Sequence, residues 1–596
     1  MTILLHAWQN ISAHPNRFGL VCSAALKVKR LTACPKDKTD PSKWSLSLLF
    51  KASAIKYFEM ISALRIKNLR ALRDTGEIPL TKLNVLVGKN SSGKSTFARV
   101  FPLLRQSVEA ETTGPILWYG RFVDFGSFAE AISIGSDTKT IEVDFSLDYP
   151  ITRDDIGSRP SLGRTYPIYR RFNISKEKSN ARVQICLERS GGSESAHIAS
   201  FLVELYGLEI EIRTQNGGQQ ASQIRIGDHI WEPNEDTRAY LAPGAIFPKI
   251  NFARRRKLRI KNTERRVWRF EGNPFRSLLE VSLWSRVHGR TQKERIERIA
   301  NQLYIASPEE FTERLKVMSG APSSWYRSTQ NLSPNSRYIE RLRQFTFGVR
   351  LPEIFRDLDE IAKNFFSNIR YIEPLRATAE RYYRRQDLAV EEIDSKGGNV
   401  AMFLNSLADY ESLEFRNWMD EIFGAHVYSE SESGHISLRL RERHSETSVN
   451  IADVGFGFSQ VLPLAVQLWS AAYKPRQRTP SSNTWLRSGD TSAIVIEQPE
   501  LHLHPEFQAR LADMFVETLN VATERGNPLK IIIETHSSAL INRLGEFVSQ
   551  NDLSHEDVNV CLFERVSSDL FSMVRITKFD TNGILENWPF GFFESV

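Results

Sequence analysis

The stretch Gly88-Lys89-Asn90-Ser91-Ser92-Gly93-Lys94-Ser95 decides the fold of this chain. It matches the pattern GxxxxGK[ST], in which glycines let consecutive backbone N–H groups turn toward one anion. The apolar run Leu83–Val87 before it predicts a short buried strand, and Thr96–Val100 after it opens a helix. That helix would point the positive end of its dipole at the same anion. Strand, glycine loop and helix in this order predict a phosphate-binding loop rather than a simple glycine turn.

The residue types in this loop predict how it would hold a nucleoside triphosphate. The Lys94 ammonium would bridge the β- and γ-phosphates, and the Ser95 hydroxyl would bind Mg²⁺. ATP and Mg²⁺ are therefore the expected ligands. The predicted phosphate-binding residues are Gly88, Asn90, Ser91, Ser92, Gly93, Lys94, Ser95 and Thr96.

Three later stretches carry polar residues beside apolar elements. The run Ala493–Ile496 predicts a buried strand that ends at Glu497, an acid suited to the Mg²⁺ shell. A second, mostly apolar run, Lys530–Ile533, predicts another buried strand, which ends in His536. Two glycines and a serine in Gly455–Gln460 precede an apolar helix, which makes either an anion site or an ordinary helix cap.

Composition excludes several classes of protein. Hydrophobic residues make up 41% of the 596 residues and charged residues 25%, as in globular domains. No window approaches the roughly 18 to 20 apolar residues of a membrane span, and no secretion signal is recognisable. The four cysteines are scattered, which fits a reducing cytoplasm and argues against a zinc site or a disulfide framework. A net charge of +7 permits nucleic-acid contact without requiring it.

The pattern divides the chain into four parts, with an α/β fold. Residues 1–59 form a basic, weakly periodic extension, expected to be disordered or non-native. An N-lobe with the phosphate loop spans 60–150, an inserted α+β and helical region 151–364, and a C-lobe with the later motifs 365–596. Ile61–Ile66 alternates like a half-buried edge strand, and Pro352 is expected to start a helix.

In this order the motifs resemble those of ABC-type P-loop ATPases of the RecF, SMC and OLD group. The likeness is stronger to ATPases of the AAA_15 and AAA_21 kind, found in OLD nucleases and Septu anti-phage proteins. It also rests on Tyr371–Arg376, Glu497–Pro505 and the ending Asn587–Phe593. The resemblance implies an ATPase head with a mixed β-sheet and flanking helices, interrupted by a large insertion. It covers residues 60–150 and 365–596 well, and the middle poorly.

The resemblance also implies roles for single residues. Glu497 takes the position of the Walker B acid and metal ligand, and His536 that of the switch histidine. ATP would lie between two chains, the second contributing a signature loop with Gly455, Gly457, Ser459 and Gln460.

Several residues depart from the family pattern. Gln498 stands where the general base normally does, and an amide cannot accept the proton of water. Glu500 is the candidate substitute, which makes the catalytic set Glu497, Gln498, Glu500 and His536. Gly455 stands at the position of the signature serine. His504 stands where related ATPases often place an aspartate of the dimer interface. The Q-loop glutamine has no assigned equivalent, and Asp124–Phe128 is its expected region.

Three functions remain open on this basis. The first is an ATPase that dimerises around nucleotide and regulates a partner effector, a nuclease, in anti-phage defence. Residues 537–596 contain no Asp-x-Asp pair of a TOPRIM nuclease, so a partner is expected to supply cleavage. The second is a DNA-repair or recombination ATPase, which the basic segment Arg254–Arg269 favours although it also fits a solvated face. The third is a scaffold that binds ATP without hydrolysing it, which Gln498 and Gly455 favour.

Overall fold

A computed structural model describes most of the chain from residue 61 onward. The described residues all lie within Tyr57–Val596. They are 61–112, 114–136, 138–153, 173–189, 196–260, 263–270, 272–386, 390, 392–473, 492–565 and 571–588. The expected extension, residues 1–59, lies outside them.

The strands of the described part are numbered in chain order. They are β1 (Ala63–Leu69), β2 (Leu72–Asp74), β3 (Ile78–Pro79), β4 (Leu83–Gly88), β5 (Thr140–Arg153), β6 (Asn173–Arg189), β7 (Ala196–Leu205), β8 (Leu208–Gln215), β9 (Gln220–Ile226), β10 (His229–Trp231), β11 (Thr237–Ala242), β12 (Lys249–Ile260), β13 (Thr263–Arg269), β14 (Ile369–Ile372), β15 (Tyr383–Arg384), β16 (Ala425–Glu432), β17 (His435–Glu442), β18 (Val449–Asn450), β19 (Ser492–Glu497), β20 (Leu529–Glu534), β21 (Val558–Arg565) and β22 (Ser572–Thr577).

The α-helices of the same part are numbered likewise. They are α1 (Lys94–Glu109), α2 (Phe128–Ala131), α3 (Pro274–Trp284), α4 (Lys293–Gln302), α5 (Pro308–Lys316), α6 (Ser323–Thr329), α7 (Arg337–Ser367), α8 (Val400–Ser406), α9 (Asp409–Phe423), α10 (Phe456–Tyr473), α11 (Pro505–Glu524) and α12 (Ser538–Ser549).

A parallel sheet forms the centre of the molecule. Its strands pair in the order β14, β19, β20, β4 and β21. The residues of β4 and β20 are buried along their whole length, which explains why both read as continuous apolar runs. Alternate residues of these strands enter two cores, so helices cover both faces. The predicted α/β class with a mixed sheet and flanking helices is confirmed.

Further strands, most of them antiparallel, extend this sheet. β21 pairs antiparallel with β22, β22 pairs in parallel with β2, and β2 pairs antiparallel with β1. From β1 the ladder continues through β5 to β13. The prediction of an edge strand at Ile61–Ile66 is wrong, because β1 pairs with β2 and β3 on one side and with β5 on the other. A second sheet holds β15, β17, β16 and β18.

The prediction that Pro352 starts a helix is also wrong. Pro352 lies inside α7, which begins after Ser336, whose hydroxyl accepts a hydrogen bond from the Ile339 N–H. A proline removes one backbone hydrogen bond. The helix nevertheless continues because buried residues such as Leu351 and Phe355 flank the proline.

Two boundaries of the proposed domain division fall inside elements of the structure. Its boundary after residue 150 falls within β5, and its boundary after residue 364 falls within α7. The strands that follow β5 are hydrogen-bonded continuations of the sheet that carries the phosphate loop. The division into an N-lobe, an insertion and a C-lobe therefore remains a proposal about sequence segments.

Candidate active site

The phosphate loop connects the end of β4 to the start of α1. A Cβ atom at Gly88 would lie 2.4 Å from the Phe563 carbonyl oxygen and 2.7 Å from the Ser92 hydroxyl. Gly93 has a φ of 92°, and a Cβ atom there would lie 2.6 Å from the Leu72 side chain. Both positions therefore require glycine, for close packing at Gly88 and additionally for backbone conformation at Gly93.

Lys94 and Ser92 point polar atoms into this loop. The Lys94 side chain is 3% exposed, and its ammonium donates to the carbonyl oxygens of Gly88 at 3.0 Å and Lys89 at 2.8 Å. Burial lowers the Lys94 pKa. The Ser92 hydroxyl is buried without a hydrogen-bond partner. A buried cation and an orphaned hydroxyl, at the N-terminus of a helix, fit a bound phosphate group.

The last residues of two adjacent strands meet beside this loop. Glu497 of β19 and Glu534 of β20 are register partners. The Ser95 hydroxyl donates to Glu534 Oε1 at 2.8 Å, and that oxygen lies 4.0 Å from Lys94 Nζ. The sequence does not single out Glu534, because its motifs assign the metal-binding acid to Glu497. The position of Glu534 at the end of a buried strand was the available signal.

Glu497, the predicted metal ligand, has other partners. Arg99 donates to both of its carboxylate oxygens, at 2.8 and 2.7 Å. The Tyr371 hydroxyl donates to Oε1 at 2.7 Å. Ser95 and Glu497, the predicted metal pair, therefore do not contact each other through these bonds, and their metal-binding role stays a prediction.

The Glu534 carboxyl group is buried, and one of its two oxygens has no hydrogen-bond partner. The unpartnered oxygen is Oε2. Burial, and then the charge of Glu497, raises the pKa of Glu534 to about 7. Within the described residues no group of three or more His, Cys, Asp or Glu side chains could hold a metal alone. The Ser95 hydroxyl and the Glu534 carboxylate are oxygen ligands of the kind that Mg²⁺ prefers.

Glu500 and His536 complete the buried part of the site. The backbone N–H of His536 donates to Glu500 Oε1 at 2.6 Å, whereas Glu500 Oε2 has no hydrogen-bond partner. Burial raises the pKa of Glu500, and its charge acts on Lys94. Burial, and then Lys94, lowers the pKa of His536, whose Nε2 is also unpartnered. The sequence predicts a strand that ends in His536, but β20 ends two residues earlier, at Glu534.

Gln498 lies in the turn between the two predicted acids. Its φ is 44°, a strained value for a residue with a side chain. Its backbone N–H donates to the Glu534 carbonyl oxygen at 2.8 Å. The turn is thereby tied to the neighbouring strand end.

The segment Gly455–Gln460 runs into the first turns of α10. The Gln460 amide donates to the Arg376 carbonyl oxygen at 3.5 Å, and a Cβ atom at Gly457 would lie 3.5 Å from Leu503. Ser459 is buried, whereas Gly455 is exposed and a Cβ atom there would meet nothing within 4 Å. The structure therefore places this segment against the loop that follows β19.

Two further expected positions lie near the site. The Asp124 carbonyl oxygen accepts a hydrogen bond from Arg70 at 3.1 Å, and the Phe125 ring lies 4.4 Å from the Arg70 guanidinium carbon. Arg70 precedes Ala71 and Leu72, which contact Gly93. His504 caps α11, where its Nδ1 accepts from the Glu506 N–H at 3.4 Å.

Two family models match the chain and bracket this site. Residues 60–199 match the AAA_15 model, "AAA ATPase domain". Residues 297–542 match the AAA_21 model, "AAA domain, putative AbiEii toxin, Type IV TA system". The first match contains the phosphate loop, and the second contains Gly455–Gln460, Glu497 and His536.

Both matches support a P-loop ATPase of the RecF, SMC and OLD type, as the motifs predict. Among solved structures, this P-loop ATPase is similar to the SMC head domain from Thermotoga maritima, with 9% sequence identity. That match covers 87% of this chain and 98% of the SMC head, at a TM-score of 0.29. No curated protein matches the sequence significantly. In the described part of the chain, no helix combines the length and apolarity that a membrane crossing needs.

Proposed function

We propose that this P-loop ATPase binds and hydrolyses Mg-ATP between two copies of itself, and thereby regulates a partner effector, a nuclease, in anti-phage defence. One observation carries the ATPase part of the proposal. Lys94, Ser95, Glu534, Glu500 and His536 gather at the carboxyl edge of the central sheet, with buried polar atoms left unpaired there. Unpaired buried polar atoms are costly, which favours a ligand as their partner.

The chain's own groups can hold each part of this ligand. Backbone N–H groups of the loop and the Lys94 ammonium would bind the β- and γ-phosphates. Ser95 and Glu534 would hold the magnesium ion, which when bound neutralises charge on the triphosphate. To reach the phosphates, Lys94 would exchange its bonds to the Gly88 and Lys89 carbonyl oxygens for bonds to phosphate oxygens.

Glu500 is the group proposed to accept the proton of the attacking water. Its unpartnered Oε2 can accept a proton, and burial raises its pKa above the ordinary value, which makes it a stronger base than an exposed glutamate. Gln498 can orient a water molecule but cannot take its proton. His536 would donate a hydrogen bond to the γ-phosphate through its unpartnered ring nitrogen.

The proposed dimer can be tested at Gly455. An arginine at this exposed position has room in one copy but would obstruct a second copy across the nucleotide. Glu500→Gln, which should trap ATP, would give an ATP-dependent dimer in light scattering. Adding Gly455→Arg should abolish the dimer, and adding Gly289→Arg should not, since Gly289 also has open space. Equal dimerisation of the two double variants would contradict the proposal.

The effector part of the proposal rests on the family. The AAA_21 description names an AbiEii toxin of a Type IV toxin–antitoxin system. A member that acts in defence would use ATP binding as the switch and a second protein as the nuclease. The purified chain should then leave DNA and RNA intact in Mg²⁺ or Mn²⁺. Nucleic-acid cleavage that a Lys94→Ala variant retains would locate a nuclease in this chain and overturn this part.

DNA binding is the second candidate function, and the hairpin β12–β13 favours it. Arg254 lies opposite Arg269 in the ladder, and the exposed Phe270 follows. Trp268 lies 4.7 Å from the Arg238 guanidinium carbon. Cations beside aromatic rings suit a phosphate backbone and bases. DNA binding would be established if the protein binds DNA in a salt-dependent manner and loses that binding when Arg254, Arg255 and Arg256 are replaced by glutamate. Equal DNA binding by the variant would show that the hairpin is not the binding surface.

The non-hydrolysing scaffold is the third candidate. Gln498 favours it because this amide occupies the usual position of the general base. ATP binding without phosphate release would establish the scaffold, and turnover that depends on Lys94 would exclude it.

A further inference from the structure

Arg376 is a buried cation that contacts two functional segments at once. Its guanidinium donates to the carbonyl oxygens of Glu497 at 3.3 Å, Gln498 at 3.4 Å and Pro499 at 3.4 Å. It also donates to the Gln460 carbonyl oxygen at 3.5 Å, and the Gln460 amide returns a bond to the Arg376 carbonyl oxygen at 3.5 Å. One side chain thus joins the start of α10 to the turn that carries Gln498.

These contacts are unusual for a buried arginine. Arg376 is 6% exposed, its hydrogen bonds all go to main-chain carbonyl oxygens, and its Nε has no partner. Each of these four bonds is longer than a typical N–H···O bond. A buried cation without a contacting carboxylate is costly to keep. The acid whose charge acts on it is Glu500.

The geometry points to Arg376 as a positioning residue for Glu500. We propose that it couples the Gly455–Gln460 segment to the Glu497–Glu500 turn, so that a second copy engaging the first segment fixes the Glu500 carboxylate. This inference rests on the proposed function for its catalytic consequence. The coupling between the two segments is a property of one chain and is testable without turnover.

Arg370 provides a matched control. It is also buried, at 4% exposed, and it donates to the Gln467 carbonyl oxygen and the Ser470 hydroxyl of the same helix α10. These bonds lie further along the helix and do not involve the Glu497–Glu500 turn. A purely structural role for arginine beneath α10 would make the two residues equivalent.

The test compares Arg376→Met, Arg376→Lys and Arg370→Met in the full-length chain. Hydrogen–deuterium exchange of the nucleotide-free proteins should show faster exchange in residues 497–503 for Arg376→Met alone. The dissociation constant for ATP should stay within about threefold of the wild-type value, while kcat falls by about 10²-fold, as for a misplaced catalytic group. Arg376→Lys should recover part of the loss because it keeps the charge.

Two results would overturn the inference. One is unchanged exchange in residues 497–503 in Arg376→Met. The other is an equal change in exchange and kcat for Arg376→Met and Arg370→Met, which would indicate general packing. A wild-type protein without turnover would count against the proposed ATPase instead, and the exchange comparison would still decide whether Arg376 couples the two segments.

Discussion

Glu534, not Glu497, accepts the hydrogen bond of the Ser95 hydroxyl, at 2.8 Å, although the two acids are paired in register at the ends of adjacent strands. Glu497 is held by Arg99 and Tyr371. β20 lies between β19 and β4, so its final side chain is the nearer one to the phosphate loop. Because of this order of strands, Glu534 contacts Ser95 of the phosphate loop, whereas Glu497 contacts Arg99 and Tyr371.

The first prediction separates these two acids. Glu534→Gln should weaken the magnesium-dependent part of ATP binding by about 10- to 100-fold, the usual effect of removing a ligand or its support. Calorimetry with ATP in the presence and absence of Mg²⁺ measures that part. Glu497→Gln is the matched control, since it removes the same charge from the adjacent strand. A larger loss of magnesium dependence in Glu497→Gln would return the metal role to Glu497.

The second prediction concerns the Arg99–Glu497 pair. Arg99→Met leaves a carboxylate that is 2% exposed without its cation. Loss of one partner of a buried pair costs several kcal/mol, which the one-third exposure of Arg99 reduces to about 1–3 kcal/mol.

Urea denaturation measures this free energy of unfolding. Adding Glu497→Gln to Arg99→Met should restore part of the loss, because the buried charge is then gone. Arg65→Met, in the exposed pair with Asp74, should cost no more than about 1 kcal/mol. Equal losses of unfolding free energy in Arg99→Met and Arg65→Met would show that the buried Arg99–Glu497 pair contributes no more than an exposed pair.

The third prediction assigns the general base. Glu500→Gln should retain ATP binding and lower kcat by about 10²- to 10⁴-fold, the contribution typical of such a group. Gln498→Ala should lower kcat much less, because an amide orients water without taking its proton. Single-turnover kinetics measure both variants. The reverse order of effects would place the catalytic water beside Gln498.

The fourth prediction concerns pH and the packing of α7. Burial raises the pKa of Asp357 to about 6, and the Tyr149 hydroxyl of β5 donates to it at 3.0 Å. Because the folded pKa exceeds the ordinary value of 3.8, this group's stabilisation is complete below about pH 4 and is lost as pH rises through 6.

The stabilisation lost amounts to at most about 3 kcal/mol, at 1.36 kcal/mol per pKa unit. As pH rises from 4 to 7, the stability of the wild type should therefore fall relative to that of Asp357→Asn, as measured by thermal unfolding. A difference between the two proteins that does not change with pH would contradict the raised pKa.

The sequence was sufficient for the parallel core and the phosphate loop. Buried strands such as β4 and β20 appear as apolar runs, and Gly88 and Gly93 stand where only glycine fits. Glu534 was missed because its role depends on which strand lies next to β4. The order of strands in a sheet cannot be predicted from one segment of sequence. The departures of Gly455 and Gln498 from the pattern that the resemblance implies, and the consequences of those departures, stay predictions.

Other errors arose where tertiary packing overrides a local signal. Pro352 predicts a helix start, yet apolar residues on both sides of it bury one continuous helix, α7. The alternation in Ile61–Ile66 indicates that one face is buried but says nothing about neighbouring strands, and β1 has partners on both edges.

Phosphate release from Mg-ATP by the purified full-length protein, with ATP binding measured in parallel, decides whether this chain is an ATPase. The Lys94→Ala variant is the control, because it removes the ammonium that the loop encloses while the glycines remain. We expect ATP binding and turnover in the wild type, and loss of turnover in the variant. A wild-type protein that fails to bind ATP would contradict the proposed ATPase.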